Sequence, residues 1–241
     1  MGEHHCSRVL QAVHDTIRSL AVAEGARQVA APVRLLDVGC WDGESTARYG
    51  AALAEGGAGA VTLAGIEVFP EPAAAATRRG IEVTALDLER EGWPYPAGHF
   101  DVVVCNQVLE HLKNIWRPLD ELARVTRADG TLLVSVPNLA SLHNRVLLAL
   151  GRQPTSIRIV GPHVRGYALH DFLALLQRGG HWQVQAVHGV GFPPLPVALG
   201  NALARLWPHA CHTPVVVCRR TAVPLEGAGT QRAGDHQTYY E

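Results

Sequence analysis

The sequence predicts an α/β domain with an open, mostly parallel sheet and helices on both faces. Three observations support this prediction. First, short apolar runs alternate with segments of helical periodicity. Second, these apolar runs are rich in Val, Ile and Leu, as buried parallel strands are. The third is composition: 47% of the 241 residues are hydrophobic and 18% are charged, which is enough to build a large buried core.

The first predicted element is a helical segment over residues 7–25. Val9, Val13 and Ile17 recur at helical spacing, and Gly25 is placed to end the helix. Pro32 then breaks the chain before the first apolar run. An amphipathic helix is therefore expected to precede the sheet.

Strands and helices alternate along the rest of the chain. The first five predicted strands are 33–39, 61–68, 81–88, 100–106 and 131–137. The helices between them are predicted at 45–54, 72–79 and 119–127. Later helices are predicted at 139–150, 170–178 and 197–206, and two more strands at 182–190 and 213–220. We expect a single domain over residues 1–220 and a disordered tail over 221–241, which is rich in Gly and polar residues.

Charge and targeting signals narrow the class of protein. With 21 basic and 22 acidic residues the net charge is -1, so the chain lacks the basic field of a nucleic-acid binder. No apolar run reaches the ~18 residues that span a bilayer, and the N-terminus has no signal-peptide layout. The five cysteines form no C-x-x-C pair. We therefore expect a cytoplasmic protein with no membrane or nucleic-acid partner.

The turn after the first predicted strand is suited to ligand binding. Ligands of open α/β sheets bind at the carboxyl ends of the strands. Asp37 and Gly39 stand at that end here, and Gly43 precedes the next helix. A dinucleotide-binding turn needs glycine at two positions where this chain has Trp41 and Glu44, so a pyrophosphate ligand is poorly supported.

Polar residues also end the next three predicted strands. Glu67 ends the second strand, where a carboxylate can accept two hydrogen bonds from a ribose diol. Asp87 and Leu88 end the third, where a carboxylate and a backbone N–H can bind the amino edge of an adenine. Asn106 and Gln107 end the fourth. Four such strand ends without a phosphate loop predict a nucleoside-like ligand that lacks phosphates.

These strand ends lie in segments that resemble a known family. LLDVGCWDGES, GIEV, ALDLE, FDVVVCNQVLEHL and ELARVTRADGTLLVSVPN are similar to the successive motifs of class I S-adenosylmethionine-dependent methyltransferases. The similarity covers residues 33–138, and LEHL is typical of the UbiE/type 11 branch. Methionine-biosynthesis proteins that carry this domain are also similar. The resemblance implies a Rossmann-like sheet of seven strands, often with an antiparallel last strand.

The resemblance also implies S-adenosylmethionine as cofactor and a set of residues that bind it. That set is Asp37, Gly39, Cys40, Gly43, Glu67, Asp87, Leu88, Asn106 and Gln107. Asp37 and Gly39 would line the methionine part, Glu67 would bind the ribose hydroxyls, and Asn106 would lie near the sulfonium. The family usually has glycine at the position of Trp41, so the turn geometry differs here. Trp41 either points outward or forms a wall of the acceptor pocket.

The expected reaction is methyl transfer to O, N or C of a small-molecule acceptor. The family resemblance implies that residues 138–169 and 191–212 cover the acceptor. Methyl transfer requires a base only when the nucleophile carries a proton at neutral pH. His111, just past the fourth strand, is the candidate base, and the alternative is a capping or packing histidine.

Several alternatives remain at this level. A non-catalytic protein of the same fold could regulate a partner enzyme, and a protein substrate is a further possibility. The clusters His4-His5-Cys6 and His209-Ala210-Cys211-His212 each lack the four ligands of a zinc site, so no metal is expected. The acceptor and the oligomeric state are left open.

Overall fold

The computed structural model describes residues 2–224, with side chains from residue 8 onward. The strands are β1 (Val33–Val38), β2 (Val61–Ile66), β3 (Glu82–Thr84), β4 (Phe100–Asn106), β5 (Thr126–Ser135), β6 (Trp182–Val190) and β7 (Thr213–Arg220). The helices are α1 (Gly2–Arg27), α2 (Glu44–Glu55), α3 (Pro70–Arg78), α4 (Trp116–Val125), α5 (Leu142–Ala149), α6 (Leu169–Gln177) and α7 (Val197–Leu206). Of the tail predicted to be disordered, residues 225–241 lie outside the described residues.

All seven strands join one sheet in the order β3-β2-β1-β4-β5-β7-β6. The first five strands run parallel, and β7 is antiparallel to both β5 and β6. The chain leaves β3 at one edge and re-enters beside β1, which makes the boundary between β1 and β4 the topological switch point. Val38 pairs with Cys105 across this boundary, so the two strands end side by side. Ligands of open α/β sheets bind at such a point.

Helices cover both faces of the sheet. On one face α1 and α2 bury an apolar cluster that includes Ile17 and Leu53. On the other face α4 and α6 pack Leu122 and Phe172 against the sheet. The predicted α/β class with a seven-stranded sheet is therefore confirmed. Among the described residues, no helix has the length and apolar composition needed to cross a bilayer.

Two predicted boundaries are wrong for identifiable reasons. Gly25 does not end α1, which continues to Arg27. A Cβ on Gly25 would lie 2.1 Å from the carbonyl oxygen of Leu53, so this glycine allows α1 to approach α2 closely. The third strand is also shorter than predicted, because β3 is an edge strand that pairs only over Glu82–Thr84.

Candidate active site

The turn between β1 and α2 is built in the left-handed region of backbone conformation. Gly39, Trp41 and Gly43 have φ angles of 74°, 49° and 79°. A Cβ on Gly39 would lie 2.7 Å from Cγ2 of Val108, and one on Gly43 would lie 2.4 Å from Cδ1 of Ile81. Both glycines are therefore required by close packing as well as by φ. At Gly39 and Gly43 the neighbouring side chains therefore pack directly against the backbone of the turn.

Trp41 keeps this turn although it is not a glycine. A left-handed conformation costs a non-glycine residue roughly 1–2 kcal/mol. The indole is 58% exposed and packs edge-to-face against Phe69, with ring centroids 6.0 Å apart. Aromatic pairs of this geometry contribute about 0.5–1.5 kcal/mol beyond their buried area, which offsets part of the strain. The side chain therefore lies over the turn, where it is both exposed and part of a cavity wall.

Asp37 lies buried at the end of β1. Its carboxylate accepts a hydrogen bond from Oγ1 of Thr46 at 2.6 Å. Burial raises the pKa of Asp37 to about 7, and the charge of Glu67 acts in the same direction. Burial, and after it the negative charge of Asp37, raise the pKa of the neighbouring Cys40 thiol to about 12. Cys40 is therefore a neutral thiol at pH 7, and Asp37 changes its charge near neutrality.

Glu67, at the end of β2, holds the turn after β1 in place. Oε2 accepts a hydrogen bond from the backbone N–H of Trp41 at 3.0 Å, and Oε1 accepts one from the N–H of Phe69 at 2.9 Å. Each carboxylate oxygen has a further lone pair. The carboxylate thus has a structural role and keeps acceptor capacity for a ligand.

The end of β4 carries a small polar network. Ser135 Oγ donates to Oδ1 of Asn106 at 2.5 Å and accepts from Nε2 of Gln107 at 3.1 Å. Gln107 has a φ of 55°, so the chain turns sharply where the strand ends. This network fixes the orientation of both amide side chains.

Polar groups in the loop after β3 form hydrogen bonds with one another. Oδ1 of Asp87 accepts from the N–H of Glu89 at 2.9 Å, and the N–H of Asp87 donates to Oε1 of Glu91 at 2.8 Å. Leu88 packs against the core cluster. The loop is therefore held by local hydrogen bonds, and both of these polar groups of Asp87 already have partners.

A cavity of about 260 Å³ lies at the switch point. Five residues predicted from the sequence line it: Asp37, Gly39, Cys40, Asn106 and Gln107. The structure adds six more: Leu10, His14, Trp41, Asp42, Ser45 and Tyr49. Five other predicted residues do not line this cavity: Gly43, Glu67, Asp87, Leu88 and His111. Among the described residues that line it, none is Lys or Arg, which is unfavourable for a phosphate-bearing ligand.

His14 and Tyr49 were not predicted as site residues. Nδ1 of His14 lies 2.6 Å from the hydroxyl oxygen of Tyr49. Burial lowers the pKa of His14, and the charge of Arg48 lowers it further. A signal existed in the sequence, since His14 follows Leu10 by one helical turn and precedes Ile17 by another, within an apolar stripe. Only the packing of α1 against α2 brings this histidine to the cavity.

His111 lies in a short 3₁₀ turn, Leu109–His111, after β4. Its Nδ1 is 3.3 Å from the carbonyl oxygen of Pro162, and its ring packs edge-to-face against His163. Burial lowers the pKa of His111, and the charge of His163 lowers it further. His111 is thus a histidine whose lowered pKa favours the neutral form, and its role as a base stays a prediction.

Residues 138–169 and 191–212 are linked to each other beside this end of the sheet. The side-chain amide of Asn138 donates to the carbonyl oxygens of His209 and Cys211, at 3.1 and 3.0 Å. Asn138 is buried, so this contact between the two segments is shielded from solvent. The two segments are therefore held together where Asn138 contacts His209 and Cys211.

The sheet order and the antiparallel β7, together with a cavity at the switch point, define the Rossmann-like fold of class I methyltransferases. The chain belongs to the methyltransferase domain family, whose family model matches residues 5–189. The resemblance to class I S-adenosylmethionine-dependent methyltransferases is therefore confirmed.

Three known proteins illustrate the similarity. The mitochondrial ubiquinone biosynthesis O-methyltransferase of Schizosaccharomyces pombe is 28% identical over 170 residues, 67% of this chain and 59% of that protein. The 27-O-demethylrifamycin SV methyltransferase of Amycolatopsis mediterranei is 30% identical over 119 residues, 45% of this chain and 42% of that protein. The chain thus spans about half the length of these relatives. The crystal structure of the trans-methyltransferase CalH in complex with SAH has a TM-score of 0.58 at 20% identity, covering 85% of this chain and 55% of that one.

Proposed function

We propose that this protein transfers the methyl group of S-adenosylmethionine to a hydroxyl oxygen of a small molecule. The observation that carries the proposal is the switch-point cavity, which is lined by carboxylate and amide groups and, among the described residues, by no Lys or Arg. The ubiquinone biosynthesis and rifamycin relatives named above support oxygen as the acceptor atom, since both of their names describe O-methylation. In this proposal residues 1–220 act as a single methyltransferase domain. The cytoplasmic location stays a prediction.

The lining suits a cationic cofactor. Asp37 and Asp42 supply acidic groups, and the exposed face of Trp41 can attract a cation. S-adenosylmethionine supplies a sulfonium methyl group that a nucleophile can displace. Asp37 would bind its ammonium group and Glu67 its ribose hydroxyls.

The other predicted cofactor residues complete this assignment. Gly39, Cys40 and Gly43 would shape the turn beside the methionine part, and Asn106 and Gln107 would close the site near the sulfonium. Asp87 and Leu88 would hold the adenine after a local rearrangement of the loop after β3, since the polar groups of Asp87 already have partners.

The acceptor would enter between α1 and the segments 138–169 and 191–212. A hydroxyl carries its proton at neutral pH, so its methylation benefits from a base. We assign this role to His14, because it lines the cavity and its lowered pKa keeps it neutral. Tyr49 would hold the imidazole in place by accepting a hydrogen bond from Nδ1–H, which leaves the Nε2 lone pair of His14 to take the proton of the acceptor. His111 is the second candidate.

Calorimetric titration with S-adenosylmethionine and S-adenosylhomocysteine tests the cofactor site. We expect micromolar binding of both, weakened about tenfold or more in Glu67→Ala, because a charge-assisted hydrogen bond contributes about 1.5–3 kcal/mol. Glu71→Ala is the matched control, since Glu71 is exposed on α3 and should leave affinity unchanged. Absence of binding to the folded wild-type protein would contradict the proposal and favour a non-catalytic regulator, which the family and its relatives do not favour.

A further inference from the structure

A buried carboxylate follows β4. Glu110 is 1% exposed, and neither of its carboxylate oxygens has a hydrogen-bond partner among the described residues. A buried carboxylate is unfavourable unless it is protonated, paired or bound to a metal. The proposed methyl transfer makes no use of it, so the side chain needs another explanation.

Two histidines lie beside this carboxylate. One ligand atom each from Glu110, His111 and His163 lie within 4.8 Å of one another. Metal–ligand distances for zinc are about 2.0–2.2 Å, so ligand atoms in a tetrahedral site are about 3.4 Å apart. Bringing the ligand atoms from within 4.8 Å to about 3.4 Å requires side-chain rotations, and His111 is exposed, so solvent surrounds part of its side chain.

Backbone carbonyls orient both imidazole rings. Nδ1 of His163 lies 2.8 Å from the carbonyl oxygen of Ser156, and Nδ1 of His111 lies 3.3 Å from that of Pro162. A carbonyl oxygen only accepts hydrogen bonds, so the proton of each neutral ring is on Nδ1 and the Nε2 lone pair is free. Histidines that bind metals have this arrangement, in which the second ring nitrogen donates to a carbonyl or carboxylate.

We propose that Glu110, His111 and His163 form a binding site for a divalent first-row transition-metal ion such as Zn²⁺. Two nitrogen ligands and one oxygen ligand suit Zn²⁺, whereas Mg²⁺ and Ca²⁺ select oxygen ligands. Three protein ligands leave a coordination position for water or for an oxygen of a bound molecule. None of the three residues lines the switch-point cavity, so the site is separate from the proposed cofactor site, although His111 is also the second candidate for the base.

Such a site would fasten one of the two linked segments to the end of β4. The backbone N–H groups of Val164 and Arg165 already donate to the carbonyl oxygen of Glu110. His163 belongs to the segment 138–169, whereas Glu110 and His111 follow β4. The bound ion would therefore stabilise the attachment of the segment 138–169 to the end of β4.

Competition titration of metal-stripped protein with a chromophoric Zn²⁺ chelator measures the affinity. We expect one tight Zn²⁺ per chain, weakened at least tenfold in Glu110→Gln and in His163→Ala. His170→Ala is the matched control, because His170 is an exposed histidine outside the cluster, and its affinity should equal that of the wild type. Zn²⁺ should also raise the melting temperature of the wild type more than that of either variant. Mg²⁺ should leave the melting temperatures of all three proteins unchanged. His163→Ala decides the question if Glu110→Gln fails to fold.

Two other clusters in the sequence, His4-His5-Cys6 and His209-Ala210-Cys211-His212, make a control necessary. Both contain cysteine, so Co²⁺ bound there would give a thiolate-to-metal charge-transfer band in the near ultraviolet. The proposed nitrogen and oxygen ligands give none. The proposal would be overturned by that band, by Zn²⁺ affinity unchanged in both variants, or by failure of the wild type to compete with the chelator.

Discussion

Glu67 accepts a hydrogen bond from the backbone N–H of Trp41, so the end of β2 holds the turn that follows β1. The contact fixes a non-glycine residue in a left-handed conformation, with φ of 49°, which glycine adopts more readily. The turn therefore keeps its shape through tertiary contacts where the local sequence does not favour it.

Replacement of Trp41 tests the backbone strain. A β-branched residue at positive φ is strongly disfavoured, whereas glycine adopts this conformation freely. We expect Trp41→Val to be less stable than Trp41→Gly by about 1 kcal/mol, measured by urea unfolding. Both variants lose the contact with Phe69, so their difference isolates the backbone. Equal stability of the two variants would show that the turn is not left-handed.

Gly43→Ala tests packing at the start of α2. The added Cβ would lie 2.4 Å from Cδ1 of Ile81 and 3.0 Å from Cα of Ala76, so we expect a loss of about 2–4 kcal/mol. Gly80→Ala is the matched control, because Gly80 has a φ of 83° and no atom within 4 Å of the added Cβ. Gly80→Ala should lower the free energy of unfolding by only about 1 kcal/mol, because of backbone strain. Similar losses in the two variants would contradict the close packing of Gly43.

Asp37→Asn tests the raised pKa of Asp37. An unfolded Asp has a pKa near 3.9, and the folded value is about 7. Between about pH 4 and pH 7 the folded state therefore binds more protons than the unfolded state, and stability falls as pH rises. We expect the wild type to lose more unfolding free energy than Asp37→Asn between these pH values, measured by urea unfolding. Burial also raises the pKa of Glu110, to about 8, so the variant should keep some dependence of the same sign. Parallel pH profiles would contradict a raised pKa of Asp37.

His14→Ala tests the assignment of the base. General bases contribute about 10²–10⁴-fold to rates, so we expect a loss of this size in kcat, measured as S-adenosylhomocysteine release with a panel of hydroxylated acceptors. Tyr49→Phe should lower kcat less, because it keeps the imidazole of His14 and removes its hydrogen bond to the Tyr49 hydroxyl. His170→Ala controls for loss of an exposed histidine. Loss of activity in His111→Ala, with His14→Ala unaffected, would transfer the role to His111.

The alternation of apolar strands with helices determined the fold class, because burial in a parallel sheet leaves a local signal in the sequence. Motifs at successive strand ends likewise led to Asp37 and Asn106, which line the cavity. Sheet topology brings such residues together, and this topology follows from regular rules.

Contacts between distant segments were decided by the tertiary structure alone. Periodicity describes one element at a time, so it predicted Gly25 as the end of α1, whereas packing against Leu53 gives this glycine its role. The same limit hid the contact of His14 with Tyr49 and the approach of His163 to Glu110. In each case the partners lie on different elements, and their distance depends on how those elements pack and on nothing in the local sequence.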